Sequence, residues 1–289
     1  IDAFKRWRLA RRGMSSGKKR RVHSDSTVAL SLDRSPWVRF SLYLTFCVAA
    51  AVLVMRALAG LEGSDADLLG SAPLNGALYA FFISVSAVTV LEMNGALVGG
   101  RNGRVVLILG GVLVHLALMQ ACALVAKVNG LPLELGLLLI PFVLAPMVHT
   151  ILLGRPGGVF STIYVSLLGA LLVPMLDTGM FLAVSLLSGL VAVQTLQRTR
   201  RRVQLLRAGL YSGMMALLLA VVFGAVDLGA VIRGGSVDQW KLLGYAAGSA
   251  LGMSLGVALL VSGFLPVLEG TFQITTDISW LELSDLNHK

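Results

Sequence analysis

Long apolar runs of roughly 17 to 24 residues, the length of a helix that crosses a hydrocarbon core about 30 Å thick, alternate with short polar or glycine-containing connections along most of the chain. Eight such runs are predicted as transmembrane helices, over 37–59, 74–97, 104–126, 131–153, 159–176, 180–196, 208–226 and 242–265. Strands of a lipid-facing barrel would instead alternate polar and apolar positions over segments of about 10 residues. The predicted fold class is therefore all-α, a polytopic bundle of transmembrane helices. The fifth and sixth runs are separated only by Asp177-Thr178-Gly179, with Pro174 just before, a composition that favours a tight turn. The fourth run carries Pro141 and Pro146. Each proline removes a backbone donor and crowds the preceding turn, so one kinked helix is expected there.

Composition narrows the class further. Of 289 residues, 56% are hydrophobic and 13% charged, about half the charge density of a soluble domain. That excludes an ordinary soluble globule, and the high hydrophobicity excludes a disordered chain. Cys47 and Cys122 both fall inside predicted spans, with no metal-ligand spacing, and are read as small apolar residues without a disulfide.

The net charge of +9 raises nucleic acid as a partner, but the placement of the charges points to the membrane. With the N-terminus inside, 20 of the 24 Lys and Arg residues fall on the cytoplasmic side, and only Arg56, Lys127, Arg233 and Lys241 fall outside. This is the positive-inside pattern with both termini cytoplasmic. Lys5, Arg6, Arg8, Arg11, Arg12, Lys18, Lys19, Arg20, Arg21 and Arg34 crowd the first 36 residues. A basic segment next to a membrane span is expected to hold anionic lipid rather than nucleic acid. The chain then divides into a basic cytoplasmic tail (1–36), a first transmembrane helix that acts as a retained signal-anchor (37–59), a short extracytoplasmic loop (60–73), a seven-helix membrane module (74–265) and a cytoplasmic juxtamembrane segment (266–289).

No GxSxG, P-loop, HExxH or CxxC motif is present, and no histidine is followed by aspartate. No catalytic, cofactor-binding or metal-binding residue is assigned. The candidate intramembrane polar site consists of Glu92, Asn94, His115, Gln120 and His149, because polar groups are expensive to bury in lipid. Such a set either converges on a ligand or a proton, or serves as interhelical hydrogen-bonding glue, with Glu92 reaching the cytoplasmic interface. Gly244, Gly248, Gly252 and Gly256 recur at four-residue spacing along the last span, which lines them on one face where another backbone can approach, from a neighbouring span or from a second copy in a homodimer.

After the last span the chain reads LPVLEGTFQITTDISWLELSDLNHK from Leu265, with Pro266 expected to punctuate the membrane helix and a further helix capped by Thr275, Thr276 or Asp277 expected near Ile278. This run resembles the junction, in bacterial seven-transmembrane receptors, between the last span and an intracellular HD-type phosphohydrolase domain. The stretch Leu205-Leu206-Arg207-Ala208-Gly209 and the stretch Ile140-Pro141…Ala145-Pro146-Met147 also look like that family's membrane module. The resemblance covers roughly 74–289. It implies a cyclic-di-AMP phosphodiesterase of the bacterial cytoplasmic membrane, whose HD domain hydrolyses the cyclic dinucleotide with a divalent metal pair held by His and Asp. The HD domain is not in this chain, so the chain is expected to be catalytically inert by itself. The large extracellular domain of the family is missing too, since only 60–73 stands between the first two spans.

Pro266, Glu269, Phe272, Ile274, Trp280 and Leu283 are the expected coupling segment to the HD domain, with no flexible Gly/Ser stretch to uncouple it. The resemblance leaves the signal or ligand unspecified. Two other readings fit the eight spans: a solute transporter or channel with an intramembrane polar site, and a structural scaffold that dimerises through the eighth span.

Overall fold

A computed structural model describes residues 33–62, 71–173, 177–197, 202–226, 228–233, 236–272, 274 and 276. The described residues form helices joined by turns and short irregular segments, without a strand. In chain order the helices are α1 (Pro36–Glu62), α2 (Ser71–Met93), α3 (Gly95–Val98), α4 (Asn102–Val128), α5 (Leu133–Leu138), α6 (Leu144–Leu153), α7 (Arg155–Leu172), α8 (Thr178–Thr195), α9 (Val203–Val222), α10 (Leu228–Ile232) and α11 (Val237–Phe272). Seven of them, α1, α2, α4, α7, α8, α9 and α11, are long and apolar enough to cross a membrane. The basic tail lies outside the described residues.

The expected fourth span is not one kinked helix. Pro141 denies the Leu137 carbonyl its helical donor and its ring clashes with the turn before it, so α5 ends at Leu138. The chain restarts as α6 at Leu144, where Pro146 is tolerated because it stands in a first turn. The interrupted segment still runs antiparallel to α4. Gly136 packs on Ala126 near one end, and Leu152 packs on Leu107 near the other. That stretch of α4 is about 28 Å long at 1.5 Å per residue, close to the thickness of a hydrocarbon core. The break itself is buried, since Ile140, Phe142, Val143 and Ala145 belong to the main hydrophobic core.

Two other helix boundaries depart from expectation. The second span ends at Met93, because Asn94 adopts φ −94°, ψ 62° and turns the chain into the short α3. The last span does not stop at Pro266. α11 continues through it to Phe272, because a single proline costs one bond to the carbonyl four residues back while Leu265, Leu268 and Phe272 pack against α4 and α6.

Small residues set the helix spacing. A Cβ at Gly158 would overlap the Thr150 hydroxyl, and one at Gly189 would lie 2.6 Å from a Thr162 methyl carbon. Thr162 donates its hydroxyl to the Gly158 carbonyl, and Ser166 shares a 2.7 Å bond with Ser185 across α7 and α8.

Backbone comes close to backbone between α9 and α11, at Gly209 and Gly213. A Cβ at Gly209 would meet the Ser254 carbonyl oxygen at 2.8 Å, and one at Gly213 would meet the Ala250 carbonyl oxygen at 3.0 Å. The face of α11 turned to the bundle is Ala246, Ala250, Val257, Ala258, Val261 and Leu265. Gly244, Gly248, Gly252 and Gly256 point the other way, with no atom of the described residues in contact range of a Cβ at any of them.

This packing makes a test. Gly209→Leu and Gly213→Leu should each lower the stability of the detergent-solubilised protein by about 1–3 kcal/mol or more through overpacking against fixed backbone. Gly248→Leu should leave the unfolding midpoint of the monomer unchanged. Equal effects at all three positions would contradict the assignment of faces.

Candidate functional site

The five predicted polar residues do not form one cluster. Glu92 belongs to a clasp at the end of the bundle where α1 begins, α2 ends and α4 begins. Tyr43 on α1 donates its hydroxyl to Glu92 Oε1 at 2.5 Å. Arg39, one turn earlier, pairs with the same oxygen at 3.4 Å and donates from Nε to Asn102 Oδ1 at 3.1 Å. Asn102 turns its amide to the Ser35 carbonyl at 2.9 Å, and the Asp33 carboxylate accepts the Gly103 N–H at 2.8 Å, which satisfies a first-turn donor of α4. The clasp ties the first turns of α1 to the end of α2 and the start of α4. At the opposite end Lys127 reaches the Gly60 carbonyl at 3.5 Å. Asn94 is exposed at the α2–α3 break and contributes a backbone carbonyl to Leu97 rather than a side chain to a site.

His115 and His149 form the second group, fully buried between α4 and α6. They interlock. The Ala145 N–H at the start of α6 donates to His115 Nδ1 at 3.0 Å. His149, one turn further along α6, places Nε2 3.1 Å from the Leu107 carbonyl. Gly111, one turn before His115, makes this possible, because a Cβ there would lie inside the His149 imidazole. Gln120 is half-buried on α4. Five residues from His115, it stands about 140° round the helix and does not share that face.

The remaining donors at the start of α6 are also served. Leu144 donates to the Pro141 carbonyl at 3.3 Å and Met147 to the Val143 carbonyl at 2.9 Å, while Pro146 has no N–H to satisfy. A helix start buried in an apolar core is otherwise costly, since each orphan donor costs about 1–3 kcal/mol.

The predicted coupling segment is seated on the same two helices. Leu265, Leu107 and Leu152 form a cluster with Leu268, Phe272 and Ile274 packed around it. Beyond Phe272 the chain is folded back on the helix end: the Ile274 N–H donates to the Glu269 carbonyl at 3.2 Å, and the Glu269 carboxylate accepts from the Thr276 N–H and hydroxyl. Trp280, Leu283 and the helix expected near Ile278 lie outside the described residues.

Sequence reasoning missed four functional neighbours: Arg39, Tyr43, Asn102 and Gly111. Arg39 was counted only as a topology charge, although Arg39 and Tyr43 at i, i+4 put two polar groups on one face of an apolar helix. The pair Gly110-Gly111 inside a helix, four residues before a histidine, was the available signal for the notch.

Among the described residues no three His, Cys, Asp or Glu side chains converge as a metal site. The arrangement braces an interrupted helix and ties the exit of α11 to it. Residues 71–276 match the model of a family described as 7TM receptor with intracellular HD hydrolase. The match begins at the first residue of α2 and extends to the Thr276 bonded by Glu269, so α1 lies before it. No curated protein and no solved structure matches the chain.

The notch at Gly111 is open to test. Gly111→Ala should drive His149 off the Leu107 carbonyl and cost about 1–3 kcal/mol, whereas Gly110→Ala, with open space at its Cβ, should be neutral or slightly stabilising. Thermal unfolding of the two variants side by side reads the difference, and a neutral Gly111→Ala would remove the interlock from the account.

Proposed function

Since the chain belongs to the family of seven-transmembrane receptors with an intracellular HD hydrolase, we propose that it is the membrane sensory and regulatory module of a cyclic-di-AMP phosphodiesterase. The observation that supports regulation, beyond membership, is the seating of the exit segment. Leu265, Leu268, Phe272 and Ile274 rest on Leu107 of α4 and Leu152 of α6, and Glu269 holds Thr276. A segment bound in this way transmits a shift of α6 or α11 to whatever follows it, because coupling travels through packed elements with two arrangements. An unpacked linker would not.

In this proposal the protein is a multi-pass protein of the bacterial cytoplasmic membrane with eight crossings, the interrupted α5–α6 segment being one of them. Both termini face the cytoplasm. The basic tail holds anionic lipid by charge. The HD domain carries the divalent metal pair, which supplies the activated water for hydrolysis, and the membrane module supplies no hydrolytic group. A second copy of the chain seats on the Gly244–Gly256 face of α11, whose glycines meet nothing among the described residues.

Three experiments separate these elements. In the protein joined to its hydrolase domain and reconstituted in liposomes, a flexible Gly-Ser insertion after Gly270 should abolish the dependence of cyclic-di-AMP turnover on the membrane module while leaving basal hydrolysis intact. Unchanged dependence would reduce the segment to a tether. The chain of 289 residues alone should show no turnover of cyclic-di-AMP with Mn²⁺ above a detergent blank. Gly252→Leu should convert a dimer to monomer at unchanged thermal stability; a dimer that persists in the variant would place the contact elsewhere.

A further inference from the structure

The two buried histidines each keep one ring nitrogen without a partner, His115 Nε2 and His149 Nδ1. Their hydrogen bonds settle which of these atoms carries a proton. A backbone N–H only donates, so His115 Nδ1, 3.0 Å from the Ala145 nitrogen, is the bare acceptor and the proton of the neutral ring sits on Nε2. A carbonyl only accepts, so His149 Nε2, 3.1 Å from the Leu107 oxygen, carries the proton and Nδ1 keeps its lone pair. The seam between α4 and α6 therefore contains one unserved donor and one unserved acceptor, both on fully buried rings.

That combination selects the ligand. A metal ion needs a lone pair from each ligand, and His115 Nε2 presents a proton instead. An anion would be repelled by the lone pair of His149, and a cation by the N–H of His115. A neutral group that accepts from one ring and donates to the other satisfies both. On the antiparallel helices the pairs Gly111/His115 and Ala145/His149 are each one turn apart, with Gly111 against His149 and Ala145 against His115. One bridging molecule with two hydrogen bonds of about 2.8 Å reaches about 5.6 Å between heavy atoms, on the scale of that turn. We propose that His115 and His149 hold a buried water molecule at the break of α5–α6, accepting from His115 Nε2–H and donating to His149 Nδ1. Buried waters make about 2–4 hydrogen bonds to otherwise unserved polar groups, and the two rings supply two of them.

The site is independent of any catalytic reading and is tested without an activity assay. The chain has 4 histidines, so the [¹⁵N]histidine-labelled protein in lipid bilayers gives a spectrum in which the core pair can be assigned. Proton-detected solid-state NMR should show both core rings neutral and protonated at Nε2. Magnetisation should pass from water to the His115 Nε2 proton although the ring is sealed from bulk solvent. A dry Nε2 proton on the same timescale would overturn the proposal. So would a ¹⁵N–¹⁵N scalar coupling between the two rings, which marks a direct histidine–histidine bond, or a His149 protonated at Nδ1.

Discussion

A break in a helix buried within a transmembrane bundle is tolerable only if every backbone N–H it releases finds a partner, because neither lipid nor apolar side chains can supply one. The rest of this structure is arranged around that constraint. Pro141 creates the interruption between α5 and α6, and Pro146, in the first turn of α6, lowers the number of donors to be satisfied. Pro141 and Val143 return carbonyls to Leu144 and Met147, and His115 reaches across from α4 to accept the Ala145 N–H. The return contact, His149 against the Gly111 notch, fixes the register of α6 on α4. With that register fixed, Leu152 and Leu107 form the platform on which the end of α11 rests.

Elsewhere the bundle is held by close approach rather than by a hydrophobic driving force, as expected where the surroundings are as apolar as the core. Gly158 receives Thr150, Gly189 receives Thr162, and Gly209 and Gly213 admit the backbone of α11. The Thr150 and Thr162 hydroxyls at these contacts bond to carbonyls of their own helices, so neither donor is stranded. α1 packs in the same way, with Leu58 seated on Gly76 of α2, and adds the Arg39–Tyr43–Glu92–Asn102 clasp at one end.

The helix pattern was legible because apolar run length is a direct consequence of bilayer thickness. The family was legible from a short polar run after the last span, where side chains are specific because they leave the lipid. What could not be read was orientation about each helix axis. In a helix that is apolar all round, periodicity does not tell the inner face from the outer one. Gly244 to Gly256 therefore looked like the packing stripe of α11, while the contact within the bundle is made by Ala246, Ala250 and Ala258, each two residues away, with Gly209 and Gly213 opposite. Similarly, Glu92 and His149 both stood near inner ends of spans, yet one joins an interfacial clasp and the other a sealed core. Pro141 and Pro146 were read as a kink because sequence cannot show that a histidine on another helix will cap the restart.

Whether His115 supports the interruption in this way can be measured directly by amide hydrogen exchange at Ala145, in the wild-type protein and in His115→Phe. The account predicts a strongly protected amide in the wild type. In the variant, exchange should rise by roughly 10-fold or more, as follows from leaving a buried donor unserved at a cost of about 1–3 kcal/mol. Equal protection of Ala145 in both proteins, at equal global stability, would contradict it.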